Sequence, residues 1–279
     1  MSRLSTLALA EQLIALGRLY RKSLQRDNSY AGEYEYLKKI IANLNLMGGY
    51  VVDVAASDGV SQSCTFGFFE DSNWIGLAVE MDPSKFSRLA FVYADFPNVS
   101  LARCRVTPQT AARLMQSFEV PFDFTLLNLD IDSYDLHVID ELLKADFRHR
   151  VISMEINEKI PPPIFFTVDY DDAHYWQGDH FFGCSLTAAS SIVRPHGYIL
   201  ESLQYNNAIF IRTDIAGVIF RDVNNESAYD AGYRNRSDRK NLFPWNSNVD
   251  CLLEYSTQDS IEFLNRLFEK YRGKYTLHR

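Results

Sequence analysis

Apolar residues at three- and four-residue spacing predict helices over residues 4–25 and 31–46, separated by the polar stretch Asp27-Asn28-Ser29. The second pattern stops at Met47-Gly48-Gly49. Short apolar runs then take over, at 50–54, 74–80, 99–106, 122–130, 151–155, 198–204 and 208–212, with helix-spaced segments near 60–70, 83–93, 109–118, 135–145 and 184–194. Strands alternating with helices are the pattern of a mainly parallel sheet covered on both faces. Only Tyr205-Asn206-Asn207 separates the last two runs, too little for a crossover, so they predict an antiparallel ending. The expectation is an α/β fold: a mainly parallel seven-stranded sheet, helices on both faces and an antiparallel last strand. A final helix is predicted near 257–272.

Two stretches break the alternation. Residues 157–183 carry Pro161-Pro162-Pro163 and His174-Tyr175-Trp176 and are too long for an ordinary strand-to-helix loop, which suggests a lid or binding loop over 158–183. Residues 221–250 are polar, with Arg234, Arg236, Arg239 and Lys240 clustered, and read as a solvated charged loop or a substrate cover. The domain reading is a helical extension over 1–48, the sheet domain over 49–214 and a C-terminal extension over 215–279.

Composition narrows the function classes. The 279 residues carry 28 Lys and Arg against 36 Asp and Glu, a net charge of -8, which argues against a nucleic-acid surface. Cys64, Cys104, Cys184 and Cys251 form no CxxC pair, so neither a zinc site nor a disulfide framework is expected, and the cytoplasm is the expected compartment. No apolar run reaches the roughly 20 residues that span a bilayer, and the N-terminal pattern is not that of a signal peptide.

In an open parallel sheet, ligands bind beyond the carboxyl ends of the strands. The first strand leads into Asp53-Val54-Ala55-Ala56-Ser57-Asp58-Gly59, whose small residues let a ligand approach backbone, and the second ends at Glu80, an acid suited to a ribose diol. The sequence has no GxGxxG turn for a pyrophosphate and no GxxxxGK[ST] loop, so a nucleoside without phosphates fits better and an NAD-dependent oxidoreductase is disfavoured. With the strand order, these residues resemble a class I S-adenosylmethionine-dependent methyltransferase. The run from Gly32-Glu33-Tyr34 through Asn128-Leu129-Asp130-Ile131-Asp132-Ser133-Tyr134-Asp135 to Glu155-Ile156-Asn157 is similar to the FkbM-like methyltransferases, over about residues 30–213.

The resemblance implies a Rossmann-like fold and S-adenosylmethionine as cofactor. It implies that Asp53, Ala55, Ser57, Asp58 and Gly59 line the methionine part, Glu80 holds the ribose, and Val106 and Thr107 lie near the adenine. Ala55 and Ser57 stand where that family commonly has glycine, and a side chain there is tolerated only if the backbone keeps a negative φ.

Asp130, Asp132 and Asp135 stand at the end of the fourth strand, and Glu155 and Asn157 come from the end of the fifth. Alternation along a strand puts Asp130 and Asp132 on one face, and a neighbouring parallel strand brings Glu155 and Asn157 close. Carboxylates so close repel unless protonated or neutralised, and a hard cation such as Mg²⁺ held by Asp130, Glu155 and Asn157 would neutralise them. Asp132, His174 or His180 would take the proton from the acceptor hydroxyl. Asp135 is as well explained as a helix N-terminal acid. Tyr170, Tyr175 and Trp176 would offer a platform for a sugar or aromatic ring. The expected partner is a small-molecule acceptor, a sugar or secondary metabolite, and the N-terminal helices either cover the cofactor or join a homo-oligomer. The alternative is a non-catalytic nucleoside-binding protein with a degenerate methyltransferase fold.

Overall fold

The computed structural model describes residues 27–279 and, ahead of them, residues 12, 15–17 and 19. The rest of the helix expected over 4–25 lies outside the described residues. Nine strands follow: β1 (Gly49–Val54), β2 (Trp74–Glu80), β3 (Val99–Arg103), β4 (Leu126–Leu129), β5 (Val151–Glu155), β6 (Phe165–Val168), β7 (Tyr198–Gln204), β8 (Asn207–Arg212) and β9 (Tyr275–His278). Seven form one sheet in the order β3-β2-β1-β4-β5-β8-β7, and β6 and β9 form a second, two-stranded sheet. The α/β class read from the sequence holds, including the antiparallel strand, which is β8 against both β5 and β7. The chain divides into two compact units, Met1–Arg105 and Val106–Arg279.

In the first unit β1, β2 and β3 pair in parallel, with Asp53 opposite Ala78 and Glu80 opposite Arg103. Val51, Val52, Val54, Leu77, Ala78 and Val79 are all buried, the apolar runs required of strands covered on both faces, interrupted in β1 only by the buried Asp53. The helix Pro83–Val92 starts where it does because Asp82 accepts from the amides of Ser84 and Lys85, both at 2.8 Å, and Pro83 supplies a preset φ at the first position.

In the second unit β4 and β5 are parallel, and the helix Asp135–Lys144 buries Leu136, Val138, Ile139, Leu142 and Leu143. Beyond β5 the insertion is only partly loop. Residues 158–168 are buried apart from two partly exposed positions, and β6 pairs antiparallel with β9, Phe165 opposite His278. Ile164, Phe166, Phe181, Leu252, Leu264 and Phe268 make a second hydrophobic core there, with the Phe181 ring stacked on Tyr271 at 3.9 Å. Most of residues 172–178 are exposed, Tyr175 and Trp176 among them.

The structure corrects three expectations. The run 122–130 is a strand only over Leu126–Leu129, because Phe122 is exposed and stacks on Phe147. The strands β6 and β9 were not foreseen. Residues 221–250 are not a solvated loop: they fold into the turns Asn225–Tyr229, Asp230–Arg234 and Arg239–Leu242, with Tyr229 and Tyr233 buried. Arg239 is itself buried, paired with Asp250 and lying over the Tyr233 ring. Gly232 is needed for this docking, since a Cβ there would sit 2.0 Å from the Leu203 carbonyl oxygen.

Candidate functional site

In the first unit the turn after β1 is built on three left-handed residues, Ala55 (φ 68°), Ser57 (φ 52°) and Gly59 (φ 81°). The negative φ expected at Ala55 and Ser57 is not what the chain adopts. It keeps the backbone path that glycine would take with least strain and carries side chains on it, at about 1–2 kcal/mol per position. The path points the Ser57 amide at Glu80, whose Oε2 accepts from it at 2.9 Å while Oε1 accepts from the Asp82 amide at 2.7 Å. Glu80 is nearly fully buried, and a carboxylate has about four acceptor directions, so two backbone donors fix its plane and leave capacity for a diol.

The other residues of the turn are tied down as firmly. Asp58 accepts from the amides of Val60 and Ser61 and from the Ser61 hydroxyl. Partial burial pushes its carboxyl up, but the Ser61 and Val60 hydrogen bonds and the Arg88 charge outweigh this and hold it below the usual range. A Cβ on Gly59 would meet Leu89 Cδ1 at 2.6 Å, so glycine is required there for space as well as for φ. Asp53 is buried and accepts from the Thr65 hydroxyl at 2.6 Å, which turns it toward the helix Phe66–Phe69.

In the second unit Asp130, Asp132 and Glu155 each bring a carboxylate oxygen within 4.8 Å of the others. Strand alternation is not the cause. Both aspartates lie past the end of β4, and a left-handed turn at Asp132 (φ 55°) brings them together. Asp135 is the first residue of its helix and accepts from the Ile131 amide at 2.9 Å. Burial pushes its carboxyl up to about 7 against the opposing backbone bonds. Burial, then the charges of Asp130 and Asp132, drive Glu155 well above the usual carboxylate range. Its Oε1 accepts from Asn206 Nδ2 at 3.0 Å, and its buried Oε2 has no hydrogen-bond donor.

Asn157 does not turn its amide nitrogen to that group. Nδ2 donates to the carbonyls of His180 and Phe182, at 2.9 and 3.0 Å, and so braces the insertion. His180 is half-buried, with Nε2 3.1 Å from Asn248 Oδ1. Burial, then Lys159, lowers its pKa, so at neutral pH the ring is uncharged, and with Nε2 as the donor Nδ1 is left as the basic nitrogen. The His174 ring meets the edge of Phe181 at 5.5 Å. Val106 and Thr107 are buried, and the Val106 carbonyl accepts from the Tyr134 hydroxyl at 3.2 Å while the Tyr170 ring packs edge-on against Tyr134.

Sequence reasoning missed a buried polar group at the end of β5. Lys159 Nζ donates to Glu158 Oε1 at 3.0 Å and lies 4.3 Å from the centre of the Phe182 ring, and Asn246 Nδ2 donates to the same carboxylate oxygen at 2.6 Å. The one local signal was an adjacent opposite-charge pair, Glu158-Lys159, between Ile156 and the stretch Ile160 to Ile164 that lacks polar side chains. Its partner Asn246 lies 88 positions further on, which no spacing rule reaches.

No family model matches the chain, and no curated protein matches it. Solved structures do. The N-terminal domain of EvdMO1 with SAH bound is 9% identical, over 76% of this chain and 97% of that one, with a TM-score of 0.41. An S-adenosylmethionine-dependent methyltransferase from Clostridium acetobutylicum is 9% identical over 71% and 98%, with a TM-score of 0.42. A putative sarcosine dimethylglycine methyltransferase from Galdieria sulphuraria is 14% identical over 79% and 77%, with a TM-score of 0.39. The fold assignment stands on the strand order itself. Among the described residues no helix is long and apolar enough to cross a membrane.

Proposed function

We propose that the chain is an S-adenosylmethionine-dependent methyltransferase acting on a hydroxyl oxygen of a sugar, glycolipid or secondary metabolite. The observation that carries this reading is Glu80: a buried carboxylate at the carboxyl end of β2, its plane fixed by two backbone amides, beside a turn with no phosphate-binding loop. Glu80 holds the ribose hydroxyls, the turn 53–59 takes the methionine part, and Val106 and Thr107 take the adenine. Methyl transfer from a sulfonium is an in-line displacement, so the protein aligns the acceptor oxygen and removes its proton. Asp132 takes that proton, with His180 Nδ1 and His174 as the other bases on the chain, under the exposed part of the insertion.

The carboxylates of Asp130, Asp132 and Glu155 fit a hard divalent cation: all three donors are oxygens, and the buried Glu155 Oε2 has no other partner. When bound, such a cation would lower the pKa of the acceptor hydroxyl. Calorimetric titration with S-adenosylhomocysteine, S-adenosylmethionine and NAD, with and without Mg²⁺, tests both parts. Micromolar binding of the two sulfur nucleosides and none of NAD is expected, and preference for NAD would overturn the assignment. A Mg²⁺ titration of Asp130→Asn that matches the wild type would remove the cation.

The second reading is a nucleoside-binding protein without turnover, favoured by side chains on the left-handed positions 55 and 57. It predicts binding without transfer to any acceptor.

A further inference from the structure

A cavity of about 360 Å³ opens between the turn after β1 and the helix Pro83–Val92, lined by Asp58, Val60, Ser87, Arg88, Phe91 and Val92. Its volume lies at the small end of the range for ligand pockets, about 300–1,000 Å³. Among the described residues assigned above to the cofactor, only Asp58 lines it. Val60 and Val92 are buried and the Phe91 ring is 45% exposed, so the lining offers an apolar wall that a ligand can reach.

The polar part of the lining holds two opposite charges that do not meet. The Arg88 charge is felt at Asp58, yet among the described residues no hydrogen bond or ion pair joins the two. Asp58 already accepts from the Val60 and Ser61 amides and the Ser61 hydroxyl, and a carboxylate takes about four such bonds, so one acceptor direction is left. Ser87 spends its only hydroxyl proton on the Pro83 carbonyl at 2.7 Å, so to a ligand it can only accept. Arg88 can only donate, and its guanidinium is engaged by no hydrogen bond among the described residues. A lone anion here would be repelled by Asp58 and a lone cation by Arg88. A zwitterion meets neither objection, because its carboxylate and ammonium match the two charges in turn.

We propose that this cavity is an effector site for a free α-amino acid with an apolar side chain, its carboxylate on Arg88, its ammonium on Asp58 and Ser87, and its side chain against Val60, Phe91 and Val92. The effector role rests on the methyl-transfer reading. The two walls run into the two residues whose amides hold Glu80: Ser57 precedes Asp58, and Asp82 caps the helix that carries Ser87 to Val92. An occupant that ties the walls together therefore steadies the Glu80 carboxylate, and by linkage the nucleoside and the amino acid strengthen each other's binding.

The test is NMR on the full chain labelled at its valine methyls, titrated with L-leucine with and without excess S-adenosylhomocysteine. The Val60 and Val92 methyl signals should shift and saturate, with a dissociation constant of about 1 mM or tighter, while that of Val138, in the second unit, stays in place. Isocaproate lacks the ammonium, isopentylamine the carboxylate and glycine the apolar side chain, and each should bind roughly fivefold or more weakly. Arg88→Gln should lose the response, whereas Lys85→Ala, exposed on the same helix but outside the lining, should keep it. The analogue series on the unaltered protein decides the matter if a substituted chain fails to fold. Leucine should also tighten S-adenosylhomocysteine about fivefold, and an unchanged affinity would overturn the effector role. Analogues binding as well as leucine, or no saturable shift at Val60 and Val92, would overturn the site. So would mutual displacement of leucine and the nucleoside, which would make the cavity part of the cofactor's own pocket, or contacts of the Val60 and Val92 methyls with leucines of residues 1–26 in the unliganded chain, which would give it to the chain's own N-terminal segment. Leucine binding by a chain that ignores the nucleoside would sink the methyl-transfer reading and leave the amino-acid site standing.

Discussion

Ala55 and Ser57 adopt positive φ with side chains that oppose it, and Glu80 depends on the second of them for one of its two amide donors. Ala55→Gly and Ser57→Gly should each raise stability by about 0.5–1 kcal/mol, the relief of left-handed strain less the extra freedom of glycine in the unfolded chain. The check is a shift in the urea midpoint with an unchanged slope. Gly59→Ala, with the same backbone sign but no room, should destabilise instead. His149 carries a different kind of cost. It is fully buried between Phe124 and Tyr198 with neither ring nitrogen hydrogen-bonded, and burial, then the charges of Arg148 and Arg212, push its pKa down to about 3. The unfolded chain takes up that proton near pH 6.5 and the folded chain does not until about 3, so its effect is absent above about 6.5 and stability falls as pH drops below it. Asp135 acts in the opposite sense, keeping its proton to about 7 when folded and losing it near 3.8 when unfolded, so its contribution is lost as pH rises between those values. Subtracting the pH profile of His149→Phe from that of the wild type isolates the histidine, and the difference should grow by up to about 1.4 kcal/mol per pH unit on the acid side. Equal acid limbs would reject the assignment.

At the scale of elements, the insertion is held by packing as well as by hydrogen bonds such as those from Asn157 Nδ2. Phe181 stacks on Tyr271 and touches Phe166 and Phe268 edge-on. Phe181→Ala should therefore cost about 3–5 kcal/mol and open residues 169–180 to protease, measured as a faster cut in limited proteolysis with the main sheet still protected. The runs at 74–80 and 151–155 were legible to the residue, because a strand buried over most of its length on both faces writes a nearly unbroken apolar run into the chain, and 198–204 was legible from the three-residue turn that ties it to the next strand. The ladder of β6 and β9 was not, because Phe165 and His278 are partners only through tertiary structure and four residues beside three prolines make no pattern of their own. The acidic cluster was legible as composition and wrong in its cause: Asp130 and Asp132 meet through a turn, and the sign of φ at Asp132 is not written in its residue type. Asn246 was illegible altogether, since its role exists only after residues 221–250 have docked.

At the scale of the whole chain, a cofactor that binds only the folded state must raise its stability. S-adenosylhomocysteine at a hundred times its dissociation constant should add about 2.7 kcal/mol, read as a higher melting temperature, while NAD at the same concentration should leave it unmoved. Glu80→Ala should lose that increment, and Asp132→Ala should keep it while losing turnover. Retention of full turnover by Asp132→Ala would end its assignment as the base.

The two-stranded sheet has a further consequence, in kinetics. Its ladder joins Phe165 to His278, and β9 leaves two of its four residues exposed. Closing so long a loop carries most of its entropic cost before any contact is made, and a two-stranded ladder offers few bonds in return. Amide hydrogens of β9 should exchange with solvent well ahead of those of β4 and β5, and ahead of the Phe166 and Val168 amides of β6, which are held from the other side by Ser185 Oγ and the Gly183 carbonyl. Strand β9 would then leave and rejoin β6 many times within the lifetime of the folded sheet, baring an edge at Phe165 to Val168 that the time-averaged structure keeps covered.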